Sequence, residues 1–163
     1  MELTNELRAV LDSIPSGLCI YQVHRGRLYP QYHNPAFYEV LGYNNTHITQ
    51  VREQVTFIGI HEDDRASLLE NLNDLLSGGE RLRHTCRVFH DGLGEYRWIQ
   101  IEGSRRVRTD GSELLYVAYS DVTEQRRLEQ YFQNTLKNLP GGVVVVRYEL
   151  DGSIIPEYIS QGL

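Results

Sequence analysis

Apolar positions along this chain change period several times, and each change marks an element. Leu3, Leu7, Val10 and Ile14 are spaced 4, 3 and 4 residues apart, one stripe of a helix over 2–13. Pro15-Ser16-Gly17 ends it, because proline cannot continue a helix and glycine permits a turn. Residues 18–23 read as a strand, His24-Arg25-Gly26 as a turn and 28–33 as a second strand, together a hairpin. Asn34-Pro35 opens a helix over 36–41, with Asn as cap and Pro where its missing N–H costs nothing; Gly42 closes it. The segment 43–60 is mixed, with short helical turns expected around Val51, Val55, Phe57 and Ile58. Over 62–77 the helix is clearer. Glu62, Asp63 and Asp64 crowd its positive end, Leu68, Leu69, Leu72, Leu75 and Leu76 form its stripe, and Gly78-Gly79 stop it.

The period then falls to two. Strands over 81–89 and 96–107 are joined across Asp91-Gly92, and a third over 114–120 follows Asp110-Gly111. Strands and helices in separate blocks with hairpin joints indicate an antiparallel α+β domain. After Asp121 the pattern returns to helix, with Leu128, Phe132, Leu136 and Leu139 on one face. Asp121 and Glu124 have capping-box spacing, with Asp121 as the acceptor.

The chain nearly repeats its beginning. Leu11-Asp12-Ser13-Ile14-Pro15-Ser16-Gly17 returns as Leu136-Lys137-Asn138-Leu139-Pro140-Gly141-Gly142, an offset of 125 residues, and the apolar run after Gly17 returns as Val143-Val144-Val145-Val146. One inserted residue later, Pro30-Gln31-Tyr32 is echoed by Pro156-Glu157-Tyr158. Such a period is domain-sized. The expected organisation is an amphipathic helix over 1–14, a domain over 15–121, a connector helix over 122–139 and, over 140–163, the first hairpin of a second copy. That hairpin, a Val-rich strand without the rest of its sheet, is expected to pair with a sheet edge in another chain, so that ending the chain near Asn138 would lower dimer affinity.

A length of 163 residues, 40% apolar and 23% charged, is ordinary globular usage. The net charge of −6 argues against nucleic acid as a partner, and Arg105, Arg106 and Arg108 read as a solvated strand end. Cys19 and Cys86 sit in apolar β-like runs, as reduced buried thiols of a cytoplasmic protein would. No run approaches the roughly 20 apolar residues that span a bilayer, so no membrane contact is expected of this segment, whatever anchors the protein elsewhere.

Five motifs in order resemble a PAS domain, the sensor module of bacterial signalling proteins. They are Ile14-Pro15-Ser16-Gly17, Asn34-Pro35-Ala36-Phe37 through Leu41-Gly42-Tyr43, His61-Glu62-Asp63-Asp64-Arg65, Tyr96-Arg97-Trp98-Ile99 and Asp121-Val122-Thr123-Glu124. The resemblance, which includes the family's C-terminal PAC motif, implies a five-stranded antiparallel sheet in order 2-1-5-4-3 with helices on one face around a small pocket. It implies transmission to the exit helix through Asp121, Val122, Thr123 and Glu124, and tandem domains. Asp121 and Thr123 can hydrogen-bond the last strand to the first helical turn, either as a relay or as a static cap.

Catalytic signatures are missing: no phosphate loop, nucleophile elbow or metalloprotease helix occurs, and an enzyme is not expected in this segment. His61-Glu62-Asp63-Asp64 is read as dipole compensation rather than a metal site. Flavin-binding relatives carry a reactive Cys before the long helix, and 55–64 has none; haem-binding relatives often use a His of that helix, and 65–77 has none, while His84 and His90 lie on a strand and beside a turn. Cys19, Tyr21, Tyr32, Phe37, Phe57, Leu72, Cys86, Trp98 and Tyr119 are the pocket candidates. A plain packed core is the reading that composition favours for them, although eleven tyrosines offer hydroxyls to a small ligand. Two functions follow: a ligand-gated sensor, or a homodimeric relay in which Leu3, Leu7, Val10 and Ile14 pack on a second copy. The downstream output of the full-length protein, a histidine kinase of a two-component system, a diguanylate cyclase or a transcription regulator, is not written in these residues.

Overall fold

The computed structural model describes residues 4–44, 46–47, 58–138 and 144–159, in two compact units, Met1–Thr123 and Glu124–Leu163. The first unit runs α1 (Asn5–Asp12), β1 (Gly17–His24), β2 (Arg27–His33), α2 (Pro35–Leu41), α3 (Glu62–Leu76), β3 (Arg81–His90), β4 (Glu95–Val107) and β5 (Glu113–Asp121). Its five strands form an antiparallel sheet in the order β2-β1-β5-β4-β3. Helix α4 (Thr123–Asn138) and the hairpin of β6 (Val144–Tyr148) and β7 (Ile154–Ile159) complete the chain. The expected turns around Val51, Val55 and Phe57 lie outside the described residues; Ile58-Gly59 forms a turn, and Ile60 bridges to Val88 of β3.

Local chemistry sets the helix ends. The Asn34 side chain accepts from the Phe37 N–H, Pro35 takes the first helical position, and Gly42 caps α2 in the left-handed conformation at φ 64°. A Cβ at Gly42 would sit 2.2 Å from the His90 ring, so both backbone and space require glycine there. Thr4 caps α1, and His61 caps α3 by accepting from the Asp63 N–H.

One sheet face carries the core. Cys19, Tyr21, Cys86, Val88, Ile99, Ile101, Leu115 and Val117 pack there under Phe37 and Leu41 of α2 and Leu68 and Leu75 of α3. On α3, Leu72 also packs inward, while Leu69 is exposed; the buried face follows 68, 72 and 75, and Leu69 lies about 100° away from Leu68. The opposite sheet face has a smaller cluster, Ile20, Tyr32 and Leu114, closed by Leu11 of α1.

Helix α1 thus docks through Leu11. Leu7 and Val10 remain largely exposed, Ile14 is half-buried, and Leu3 lies outside the described residues. A groove of about 590 Å³ opens beside α1, with Leu7, Leu11, Leu18 and Tyr116 on its apolar side and Arg81, Arg83 and Glu102 on its charged side.

Candidate ligand cavity and helix joint

A cavity of about 70 Å³ lies between the core face of the sheet and helices α2 and α3. Among the described residues its walls are leucines, isoleucine and valines, together with Phe37, Tyr21, Tyr43 and Tyr119, and no charged side chain lines it. Its polar feature is a pair of phenols: the Tyr21 and Tyr119 hydroxyls are 3.1 Å apart, and Phe37 meets the Tyr119 ring edge-on at 5.2 Å. The Tyr43 hydroxyl donates to the Ile58 carbonyl. Burial pushes all three phenols above their ordinary range, so they stay neutral at any physiological pH and act as hydrogen-bonding groups. The same cause raises the Cys19 thiol and pushes Cys86 up to about 12, which keeps both protonated and unreactive.

Of the candidate residues, Tyr21, Phe37, Leu72 and Tyr119 come together on this cavity. Cys19 and Cys86 belong to the core around it. Tyr32 does not: its ring joins Ile20 and Leu114 on the other sheet face, and its hydroxyl donates to Asp12. The reason is a register shift in β2, where Ile20 faces Tyr32 but Tyr21 faces Pro30. Gln31 bulges out, and everything beyond it changes face. Trp98 alternates with the inward Ile99, and the Arg87 guanidinium lies 5.5 Å from its ring. Phe57 lies outside the described residues. Leu28 and Tyr43 were missed because hairpin and post-helix positions show no clean period.

A second constellation joins β5 to α4. The Val122 N–H donates to the Trp98 carbonyl at 2.8 Å, and the Trp98 N–H donates to Thr123 Oγ1 at 2.8 Å. Thr123 is 2% exposed, so its hydroxyl is a committed partner rather than a surface cap. Asp121 Oδ1 accepts from the Thr123 N–H, and its Oδ2 accepts from Arg97 Nε at 2.9 Å; Arg97 also bridges to Glu95. A capping box would have Asp121 accept from the Glu124 N–H; among the described residues its Oδ1 accepts from Thr123 instead. The helix begins at Thr123, which leaves Asp121 two residues ahead of it with an Asx-type reach, and Glu124 pairs instead with Arg127. Arg97 is the residue of this joint that sequence reading missed, because cross-strand partners depend on register.

Among the described residues no cluster of His, Cys, Asp and Glu has metal-binding geometry. His61, Asp63 and Asp64 serve the helix start: Arg87 ties Asp64 at 2.8 Å and Asp63 at 3.2 Å, which holds the Asp64 carboxyl down at about 2.

The family model described as the PAS fold matches residues 30–119, and the chain belongs to that family, a class of sensory signalling domains. Solved structures agree in fold. A sensory box histidine kinase/response regulator from Burkholderia thailandensis E264 is 24% identical with a TM-score of 0.56, the match covering 80% of this chain and 95% of that one. An RNA-binding light-oxygen-voltage receptor is 17% identical with a TM-score of 0.61, over 80% of this chain and 36% of that one. A PAS domain from Colwellia psychrerythraea is 12% identical with a TM-score of 0.53, over 73% of this chain and 96% of that one. Comparison with curated proteins gives no match. No helix among the described residues is long and apolar enough to cross a membrane.

Proposed function

We propose that the first unit is a ligand-gated sensor whose occupancy is passed along β5 to α4. The observation that carries this reading is the placement of Tyr119 and Asp121 two residues apart on β5. The Tyr119 hydroxyl faces the cavity while Asp121 and the adjoining Thr123 hold the helix start. A ligand that displaces the Tyr21–Tyr119 contact pushes the end of β5, and the hydrogen bonds to Trp98 and Arg97 convert that push into a change at the first turn of α4.

The walls define the ligand class. With no charged side chain among the described residues and three neutral phenols, one of them already donating to the Ile58 carbonyl, the cavity suits a small uncharged molecule, mostly apolar, with one hydrogen-bonding group. At about 70 Å³ the cavity is well below the several hundred Å³ of pockets that hold drug-sized ligands, which supports a small ligand.

A second reading has its own observation. The exposed Leu7 and Val10 beside the groove at α1 suit a second copy of this chain, and dimerisation would then turn a change at α4 into a change between protomers, relayed to an output domain of the full protein. Native mass spectrometry with a panel of small neutral metabolites tests both. The expected spectrum shows a dimer and a bound mass whose retention falls at least tenfold in the Tyr21→Phe/Tyr119→Phe variant. A monomer with no retained ligand would contradict the account.

A further inference from the structure

Hairpin β6–β7 repeats β1–β2 pair by pair. In the first, Cys19 faces His33 and Ile20 faces Tyr32, after which the register slips and Tyr21 faces Pro30. In the second, Val144 faces Ile159 and Val145 faces Tyr158, then the register slips at the same step and Val146 faces Pro156. An offset of 125 on the first strand and 126 on the second maps every β6–β7 pair onto a β1–β2 pair, out to Tyr148↔Ile154 on Val23↔Leu28. The bulged residues correspond as well, Gln31 and Glu157, and the one extra residue falls in the turn. A bulge fixes face and twist beyond it, so a shared bulge means a shared assignment of faces.

Burial repeats too. Leu11 of α1 covers Ile20 and Tyr32, and the positions at the same offsets are Leu136, Val145 and Tyr158. Leu136 is buried at 8% exposure, and Val145 and Tyr158 are half-buried, while the other described residues of the hairpin, Glu149 apart, are exposed. At the offset of 125, the span of α1 falls on residues 130–137, the last two turns of α4.

We infer that the end of α4 with β6–β7 is the opening unit of a second PAS-type sheet, so that α4 is both the exit helix of one sensor and the outer-face helix of the next. In the first sheet, β1 takes β5 as antiparallel neighbour on the edge away from β2, and Cys19 and Tyr21 face the core. Their counterparts Val144 and Val146 stand 48% and 37% exposed, and an isolated two-stranded hairpin with an apolar face is marginal in water. The open edge of β6 takes an antiparallel strand of the β5 kind, apolar and polar by turns. The same polypeptide supplies it, as it supplies β5 to β1.

Hydrogen exchange on the intact polypeptide, read by mass spectrometry over a tenfold range of concentration, tests this. The expected result is that the amides of β6 exchange as slowly as those of β1 at every concentration. Val146→Asp, at the counterpart of Tyr21, should speed β6 and β7 more than tenfold and leave β1 to β5 unchanged. Exchange in β6 a hundredfold faster than in β1, or indifference to Val146→Asp, would mark a free-standing hairpin and overturn the inference. Protection that grows with concentration would overturn it by assigning the edge to a second copy.

Discussion

At the scale of single residues, Asn34 does more than cap a helix. Its side chain is fully buried; Oδ1 accepts from the Leu18 and Phe37 N–H groups, and Nδ2 donates to the carbonyls of Leu11, Ile14 and Ser16. One amide therefore ties α1, β1 and α2 together, and its cap role is the only part a local motif reveals. Asn34→Ala should destabilise the fold by roughly 3 kcal/mol in urea denaturation, because a buried donor or acceptor left without a partner costs about 1–3 kcal/mol. Asn34→Asp should not rescue it, since three of the five contacts need a donor. Asp64 shows the electrostatic counterpart. Its carboxyl is held at about 2 against an ordinary 3.8, first by hydrogen bonding to Arg87. A depressed carboxyl stabilises the native state above its unfolded pKa and loses that contribution as pH falls toward its folded one. The Arg87–Asp64 pair therefore contributes fully above about pH 4 and fades toward pH 2. Acid titration of Arg87→Gln should show a shallower loss of stability in that window; an unchanged slope would contradict the assignment.

At the scale of elements, helix and strand existence was legible because period and punctuation agree: Asn34-Pro35, Gly42 and the acidic start of α3 are local signals whose chemistry acts within one turn. Facing was less legible. Leu28 and Tyr32 are an even number of residues apart and so should share a face, yet Leu28 packs in the core and Tyr32 on the other side, since the bulge at Gln31 resets the alternation. Nothing in the composition of β2 announces that bulge, whereas its return at Glu157 shows that it belongs to the pattern. For Trp98 the period alone is informative: the inward Ile99 and Ile101 fix its side by alternation, whatever its aromatic character. On α1, the stripe through Leu7 and Val10 was real as a pattern, but the sheet selects Leu11, which that stripe omits.

At the scale of the whole molecule, the first unit is a PAS domain with a small, mostly apolar cavity on one sheet face and an open groove beside α1 on the other. Its strand order was legible from family motifs rather than from period, because the β1–β5 pairing joins residues about 100 positions apart, and no local signal spans that distance. The central claim is that the cavity and the start of α4 are mechanically linked through Tyr119, Asp121 and Thr123. Xenon offers a probe that needs no knowledge of the natural ligand, since it enters small apolar cavities. Amide spectra of the protein under xenon pressure should shift at Tyr21, Leu72 and Tyr119 and also at Trp98, Thr123 and the first turn of α4. In Thr123→Val, the cavity shifts should remain while those at α4 shrink at least threefold, and Thr123→Ser should restore them. Xenon shifts confined to the cavity in the unsubstituted protein, or α4 shifts that persist in Thr123→Val, would contradict the linkage.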